Sequence, residues 1–213
     1  MKIRFSLIVI TLLMLYDIHQ GTVFALTPTE QEYRQLPPYC QMQKFMAIWR
    51  PGYQATPQND AVNNRNHALW EAKMGSGTGS NNIFYHMHHW CWALVGFNRY
   101  YSDFKSPNRK GYLEQAIGDI DYVLQHSHDS DSILPEILTR RGKIYSILKK
   151  SGQAAADFTR AIKLKPKYGL AYVYYSDLYR ESGQKDEAIT IIKAGLAADP
   201  KSALLQKQLQ RLK

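Results

Sequence analysis

The residues best equipped for chemistry lie in one short run, His86-Met87-His88-His89-Trp90-Cys91-Trp92. Imidazole, thioether and thiolate groups bind soft and borderline metals such as copper and zinc. His86, His88 and His89 are therefore candidate metal ligands, with His67, Met42, Met46 or Met74 available to complete a site. The run is expected to open a long helix, which puts His86 and His89 on one face and turns His88 away. It lacks the H-E-x-x-H spacing of zinc proteases and the C-x-x-C-H spacing of haem attachment. The simpler reading is amphipathic packing, with Trp90 or Trp92 in the core and the histidines at an interface; no metal and no cofactor are then expected. A periplasmic metal- or cofactor-handling protein is the alternative.

No other set of side chains points to catalysis. The serines are scattered without a G-x-S-x-G elbow. Asp119 and Asp121 stand two apart on a helix, where side chains do not face each other. The glycine-rich stretch 75–80 has no lysine in the place a phosphate cradle needs and no buried strand before it, so it reads as a linker. No enzymatic activity is expected.

Compartment follows from the N-terminus. Lys2 and Arg4 precede the apolar run Phe5 to Tyr16, and Val23 and Ala25 are small residues suited to a cleavage site. This is the layout of a secretory signal peptide over residues 1–25, cut after Ala25, and it predicts a periplasmic or secreted protein. The apolar run is shorter than the roughly 18 residues that suggest a transmembrane helix, so no integral span is expected after cleavage. In an oxidising compartment the chain's two cysteines, Cys40 and Cys91, are expected to pair as a disulfide, the alternatives being two buried free thiols or a metal pair. Closing a loop of about 50 residues contributes about 4 kcal/mol in the chain-entropy model.

The elements that must position these residues show a fixed period. Pro166 and Pro200 are 34 residues apart, as are Ala154 and Ala188, Ala161 and Gly195, Phe158 and Ile192, Tyr145 and Tyr179, and Gly142 and Ser176. Small residues align with small ones and large apolar residues with large ones. Such a period describes a pair of antiparallel helices per unit, stacked on the next pair and ended by proline.

These spacings resemble the tetratricopeptide repeat (TPR) family. The resemblance implies that the turn Glu181-Ser182-Gly183-Gln184 joins the two helices of the later unit; in the earlier unit the glycine is displaced to Gly152, so a different turn is expected there. Residues 135–168 carry Gly142, Tyr145, Ala154, Phe158, Ala161 and Pro166 at that family's spacing, and residues 169–202 carry Tyr172, Ser176, Tyr179, Ala188, Gly195 and Pro200. Residues 89–134 resemble a degenerate unit. In it Trp92, Val95 and Gly96 stand for a first helix, and Ala116, Ile120 and Val123-Leu124 for a second. The intervening stretch Tyr101 to Gly111 is too long for a standard turn. Residues 203–213 read as a capping helix, with Leu205, Leu209 and Leu212 inward and Lys207, Gln208 and Arg211 toward water. Residues 26–88 form an irregular N-terminal segment with short helices expected near Thr29 to Gln35, Gln41 to Trp49 and Ala68 to Met74, and a loop over Gln54 to Asn66. The fold class expected is all-α, a short TPR-type helical-hairpin solenoid with that irregular segment and a capping helix.

The resemblance implies that first-helix residues line a groove. By phase these are Thr139, Arg140, Lys143 and Ile147, then Val173, Tyr174, Asp177, Arg180 and Glu181, with Phe97, Tyr100 and Tyr101 from the degenerate unit. Arg140, Lys143, Tyr174, Asp177 and Arg180 are the candidate partner-binding residues, the cations gripping carboxylates and the tyrosines offering contact area. The family's clamp for chaperone tails is not reproduced, because Thr139, Arg140, Leu170 and Tyr174 occupy its positions. Residues 135–213 hold 16 Lys and Arg against 7 Asp and Glu, whereas residues 26–134 hold 9 against 10. That excess favours an acidic partner, and export argues against nucleic acid. The function expected is an exported adaptor or assembly factor that binds proteins or peptides of the cell envelope.

Overall fold

The computed structural model describes residues 28–41, 65, 68–75 and 81–213. The predicted signal peptide with its cut after Ala25, and all but one residue each of the helix expected over Gln41 to Trp49, the Gln54 to Asn66 loop and the glycine-rich linker, lie outside them. Among the described residues every regular element is helical. A short helix, α1 (Glu30–Gln35), precedes a helical stretch at 68–74 and a 3₁₀ turn at Ile83–His86. The body follows as α2 (Met87–Ser102), α3 (Arg109–Gln125), α4 (Leu134–Ile147), α5 (Ser151–Leu164), α6 (Gly169–Glu181), α7 (Lys185–Ala198) and α8 (Ala203–Leu212). α2 packs on α3, α4 on α5 and α6 on α7; α6 also lies against α4, and α8 covers the last pair. This is a helical-hairpin solenoid.

The 34-residue period holds in the backbone. α5 ends at Lys165 (φ −141°, ψ 84°) and α7 at Asp199 (φ −140°, ψ 84°), each amide bonding the carbonyl four residues back, Ala161 and Gly195. The hairpin turns repeat as well. Lys150 N–H donates to Tyr145 O at 2.8 Å, and Gln184 N–H donates to Tyr179 O at 3.0 Å. The turn expected to differ is therefore the same turn. Gly183 takes φ 78°, and Lys149 takes φ 61° in its place. Gly152 lies inside α5 and has no part in it. The hydrogen bonds and hairpin packing impose the left-handed conformation on a residue ill suited to it.

Small residues mark where the paired helices meet. A Cβ on Gly142 would lie 2.7 Å from Cε1 of Phe158, and one on Gly195 would lie 2.8 Å from Cγ of Tyr172. Phe158 is fully buried with Ala154, Tyr145 and Leu178 around it. Leu205 and Leu212 of α8 are buried on the last hairpin, as an amphipathic cap requires. Gln208, expected to face water, is instead buried and donates Nε2 to Asp177 Oδ1 at 3.0 Å.

The N-terminal segment is tied to this body. Thr29 caps α1, and its side chain and that of Glu32 form a reciprocal capping box. The Glu32 carboxylate also receives Arg99 Nε and Nη2 at 2.6 and 2.9 Å, and this pairing holds its pKa below the usual carboxylate range. Cys40 and Cys91 are bonded, with Cα atoms 5.7 Å apart, as expected. Trp90, fully buried one residue earlier on α2, donates Nε1 to the Tyr39 hydroxyl, which donates to Glu136 Oε1 at 3.1 Å. Trp70, from the stretch at 68–74, meets Tyr39 edge-on at 5.4 Å.

Candidate partner-binding face

The first helices of the three hairpins present one continuous face. Helical spacing gives each a stripe: Phe97 and Tyr101 on α2; Glu136, Arg140 and Lys143 on α4; Tyr174, Asp177 and Glu181 on α6. Tyr168, in the turn before α6, joins them, and the Arg140 charge reaches Tyr39, Tyr101 and Tyr168. The Arg140 guanidinium lies 4.6 Å over the Phe97 ring and makes no ion pair among the described residues. Burial pushes the Tyr168 hydroxyl up to about 12 and raises that of Tyr101. Both stay neutral hydroxyls at neutral pH, and Glu136, one turn before Arg140 on the same stripe, accepts from the Tyr39 hydroxyl.

The other predicted residues share this face but are already engaged. Lys143 Nζ lies 3.8 Å from Glu181 Oε1 and 5.4 Å from the centre of the Tyr174 ring. Asp177 Oδ1 accepts from Arg180 Nε at 3.3 Å as well as from Gln208. Arg180 Nη2 reaches Glu181 only at 3.9 Å. Next to this pair opens a cleft of about 310 Å³ lined by Asp177, Arg180, Gln208, Arg211 and Leu212. Three residues assigned to the groove by phase do not line it. Thr139 is buried, donating Oγ1 to Pro135 O at 2.7 Å; Val173 is buried; and Ile147 packs against the core. Their offset comes from first helices packing on both a partner and a neighbour, which narrows the outward stripe.

Sequence reasoning missed Glu136, Tyr168, Gln208 and Arg211. The last two carried a signal, since their i, i+3 spacing puts them on one side of α8. Arg141, next to Arg140, illustrates the opposite case. It turns into the hairpin, where Nε and Nη2 bind Asp157 at 2.8 and 2.7 Å and Nη1 binds Asp121 Oδ1 at 2.6 Å. That cluster is structural, joining α3, α4 and α5. One of two consecutive arginines thus holds the stack together while the other faces outward.

The histidine run lies at the far end of α2. The structure splits it: His86 ends the 3₁₀ turn and α2 begins at Met87. His86 and His89 do share a side, both against Tyr122, with ring centroids 5.5 and 4.1 Å away. His86 stacks on His126 at 3.9 Å, and His89 Nδ1 pairs with Asp119 at 2.7 Å. His88, half-buried against Trp92, is held down to about 4 by burial and by the nearby His89 and His86 charges. Among the described residues no three metal-binding side chains are grouped to hold an ion, and Cys91 is committed to its disulfide.

The fold and this face define a class, the α-solenoids built from helical hairpins. Within that class, residues 149–212 match the tetratricopeptide repeat model. The described fold agrees. The chain is similar to TTC0263, a thermophilic TPR protein of Thermus thermophilus, with a TM-score of 0.54 and 18% identity over 94% of each chain. It is less similar to the first TPR of Spaghetti (RPAP3) bound to the HSP90 peptide SRMEEVD, with a TM-score of 0.40, 22% identity, and coverage of 57% of this chain and 90% of that one. The second TPR domain of human RPAP3, in complex with the HSP70 peptide SGPTIEEVD, gives 0.40 and 21% over 58% of this chain and 97% of that one. No curated protein matches the sequence.

Proposed function

We propose that this protein is a non-catalytic adaptor that holds a segment of a protein partner across the face formed by α2, α4 and α6, and that it does so in the cell envelope after export. The observation that carries the reading is Arg140. A half-buried guanidinium over Phe97, without an ion pair among the described residues, beside Tyr101 and Tyr168 and one turn after Glu136, is well suited to a charged or polar group brought by a partner. Tyrosines beside an arginine are also the residue types that dominate binding energy at protein interfaces. Export rests on the signal-like residues 1–25, and the Cys40–Cys91 disulfide is consistent with an oxidising compartment.

A photoreactive amino acid at Tyr101, which is 52% exposed, tests the binding face. The expected result is a discrete crosslinked product in the native cell, absent when Arg140 is changed to Glu and absent when the same group replaces Thr159 on the second-helix side. Crosslinking that survives Arg140→Glu, or that is stronger from position 159, would move the binding face to the other side of the solenoid. Fractionation of the source cells tests export, with the mature N-terminus expected at Leu26.

A further inference from the structure

The cleft between α6 and α8 has a composition that the adaptor reading does not use. Its charged lining is two guanidiniums and one carboxylate, Arg180, Arg211 and Asp177, with Leu212 as an apolar wall. The carboxylate is spoken for. Asp177 Oδ1 accepts from Gln208 Nε2 at 3.0 Å and from Arg180 Nε at 3.3 Å. Gln208 is itself 5% exposed, so the amide that fixes Asp177 is rigidly placed. The inner edge of Arg180 is thereby held, while among the described residues Nη2 lies 3.9 Å from Glu181 Oε1, beyond hydrogen-bond reach. Arg211, one turn beyond Gln208 on α8, makes no ion pair among the described residues. Two planar donor forks on different helices, facing one cleft, match the two oxygens of a carboxylate better than any neutral group. The surrounding excess of cations over residues 135–213 adds attraction at longer range.

We infer that this cleft is a carboxylate subsite, which takes an acidic side chain of the bound partner segment between Arg180 and Arg211. The inference rests on the adaptor reading and names the chemistry of its partner: an acidic segment whose carboxylate enters the cleft while neighbouring residues cross the Tyr174 and Arg140 surface. The cap helix is then part of the binding site as well as a cover for the last hairpin.

Fluorescein-labelled hexaglutamate titrated with the protein, followed by anisotropy at physiological salt, tests this. Saturable binding is expected, weakened tenfold or more by Arg211→Gln. Arg211→Lys keeps the charge but loses the fork, and it is expected to recover only part of that loss. Lys163→Gln with Lys193→Gln removes two charges from second helices and is expected to change binding less than threefold. Helicity by circular dichroism checks that each variant is folded, as expected for exposed positions. No saturable binding, or equal weakening by Arg211→Gln and by the second-helix pair, overturns the subsite. If Tyr101 crosslinks a partner in an Arg140-dependent way while hexaglutamate fails to bind, the subsite is refuted and the adaptor reading stands. If hexaglutamate binds in an Arg211-dependent way while Tyr101 crosslinks nothing, the adaptor reading is refuted and the cleft stands only as a carboxylate site.

Discussion

Lys149 offers the sharpest test of the repeat geometry. It is the only non-glycine residue with positive φ among the described residues, at 61°, and it occupies the turn position that Gly183 holds at 78° one period later. A side chain in the left-handed region costs roughly 1–2 kcal/mol. Glycine removes that cost but loses about 0.5–1 kcal/mol through its greater freedom in the unfolded chain. Lys149→Gly should therefore exceed Lys149→Ala in stability by about 0.5–1 kcal/mol. The alanine variant is the proper reference. It keeps the strain while removing the lysine charge, whose favourable interaction with the end of α4 is worth about 0.3–1 kcal/mol. Gly183→Ala should lose a similar amount, about 0.5–1 kcal/mol. A Cβ there meets nothing within 4 Å, so the loss is purely conformational. Urea denaturation followed by circular dichroism gives the values, with thermal midpoints expected to move by about 2–4 °C per kcal/mol for a chain of this size. A glycine variant at 149 no more stable than the alanine variant would refute the shared turn, and so would a neutral Gly183→Ala.

Three further outcomes follow from the packing and the titrating groups. Phe158→Ala should cost roughly 3–5 kcal/mol as a fully buried aromatic, and Gly142→Ala should cost about 1–3 kcal/mol because its Cβ would meet the same ring; urea midpoints no different from those of a surface substitution would show that the hairpin packing is wrong. Cys40 and Cys91 should resist alkylation until reduced, and reduction should remove about 4 kcal/mol for a separation of 51 residues; mass spectrometry finding two free thiols in the native, unreduced protein would end that claim. His88 titrates near 4 when folded and near its ordinary 6.5 when unfolded. The unfolded state then binds more protons between those values, so His88 withdraws stability as pH falls from about 6.5 to 4. Asp119, raised chiefly by burial, acts in the opposite sense. The informative quantity is therefore the difference between the wild type and His88→Gln, whose stability should fall less over this window; equal slopes would place His88 in water.

Much of the architecture was legible in the sequence because repeats write their period into residue size. Each hairpin needs small residues where its helices cross and large ones between neighbours, so Gly142 with Phe158, and Gly195 with Tyr172, are visible as a pattern before any coordinates exist. The helix near Thr29 to Gln35 was expected, but its cap went unread although Thr29 and Glu32 interact over only three residues. The cysteine pair was readable from the number of cysteines and the expected compartment. The candidate face was legible only in outline. Phase placed Arg140, Lys143, Tyr174, Asp177 and Arg180 on the first helices, where they are found.

What each of those side chains does depended on the tertiary structure. Whether a cation on that face is paired rests on which acid the neighbouring helix or turn brings within reach: among the described residues, Glu181 for Lys143, Asp177 for Arg180, none for Arg140. Arg140 and Arg141 are identical in type and adjacent in sequence, and the helical turn of about 100° between them sends one to Phe97 and the other to Asp157. Gln208 looks like a solvent residue until α8 docks and Asp177 claims its amide. Lys149 looks like an ordinary helix-end lysine until the packing of α4 on α5 and the turn's hydrogen bonds force it to positive φ. Period, size and local capping are properties of neighbours along the chain. Pairing, burial and strain are set by residues far apart in sequence, and only the folded arrangement brings those together.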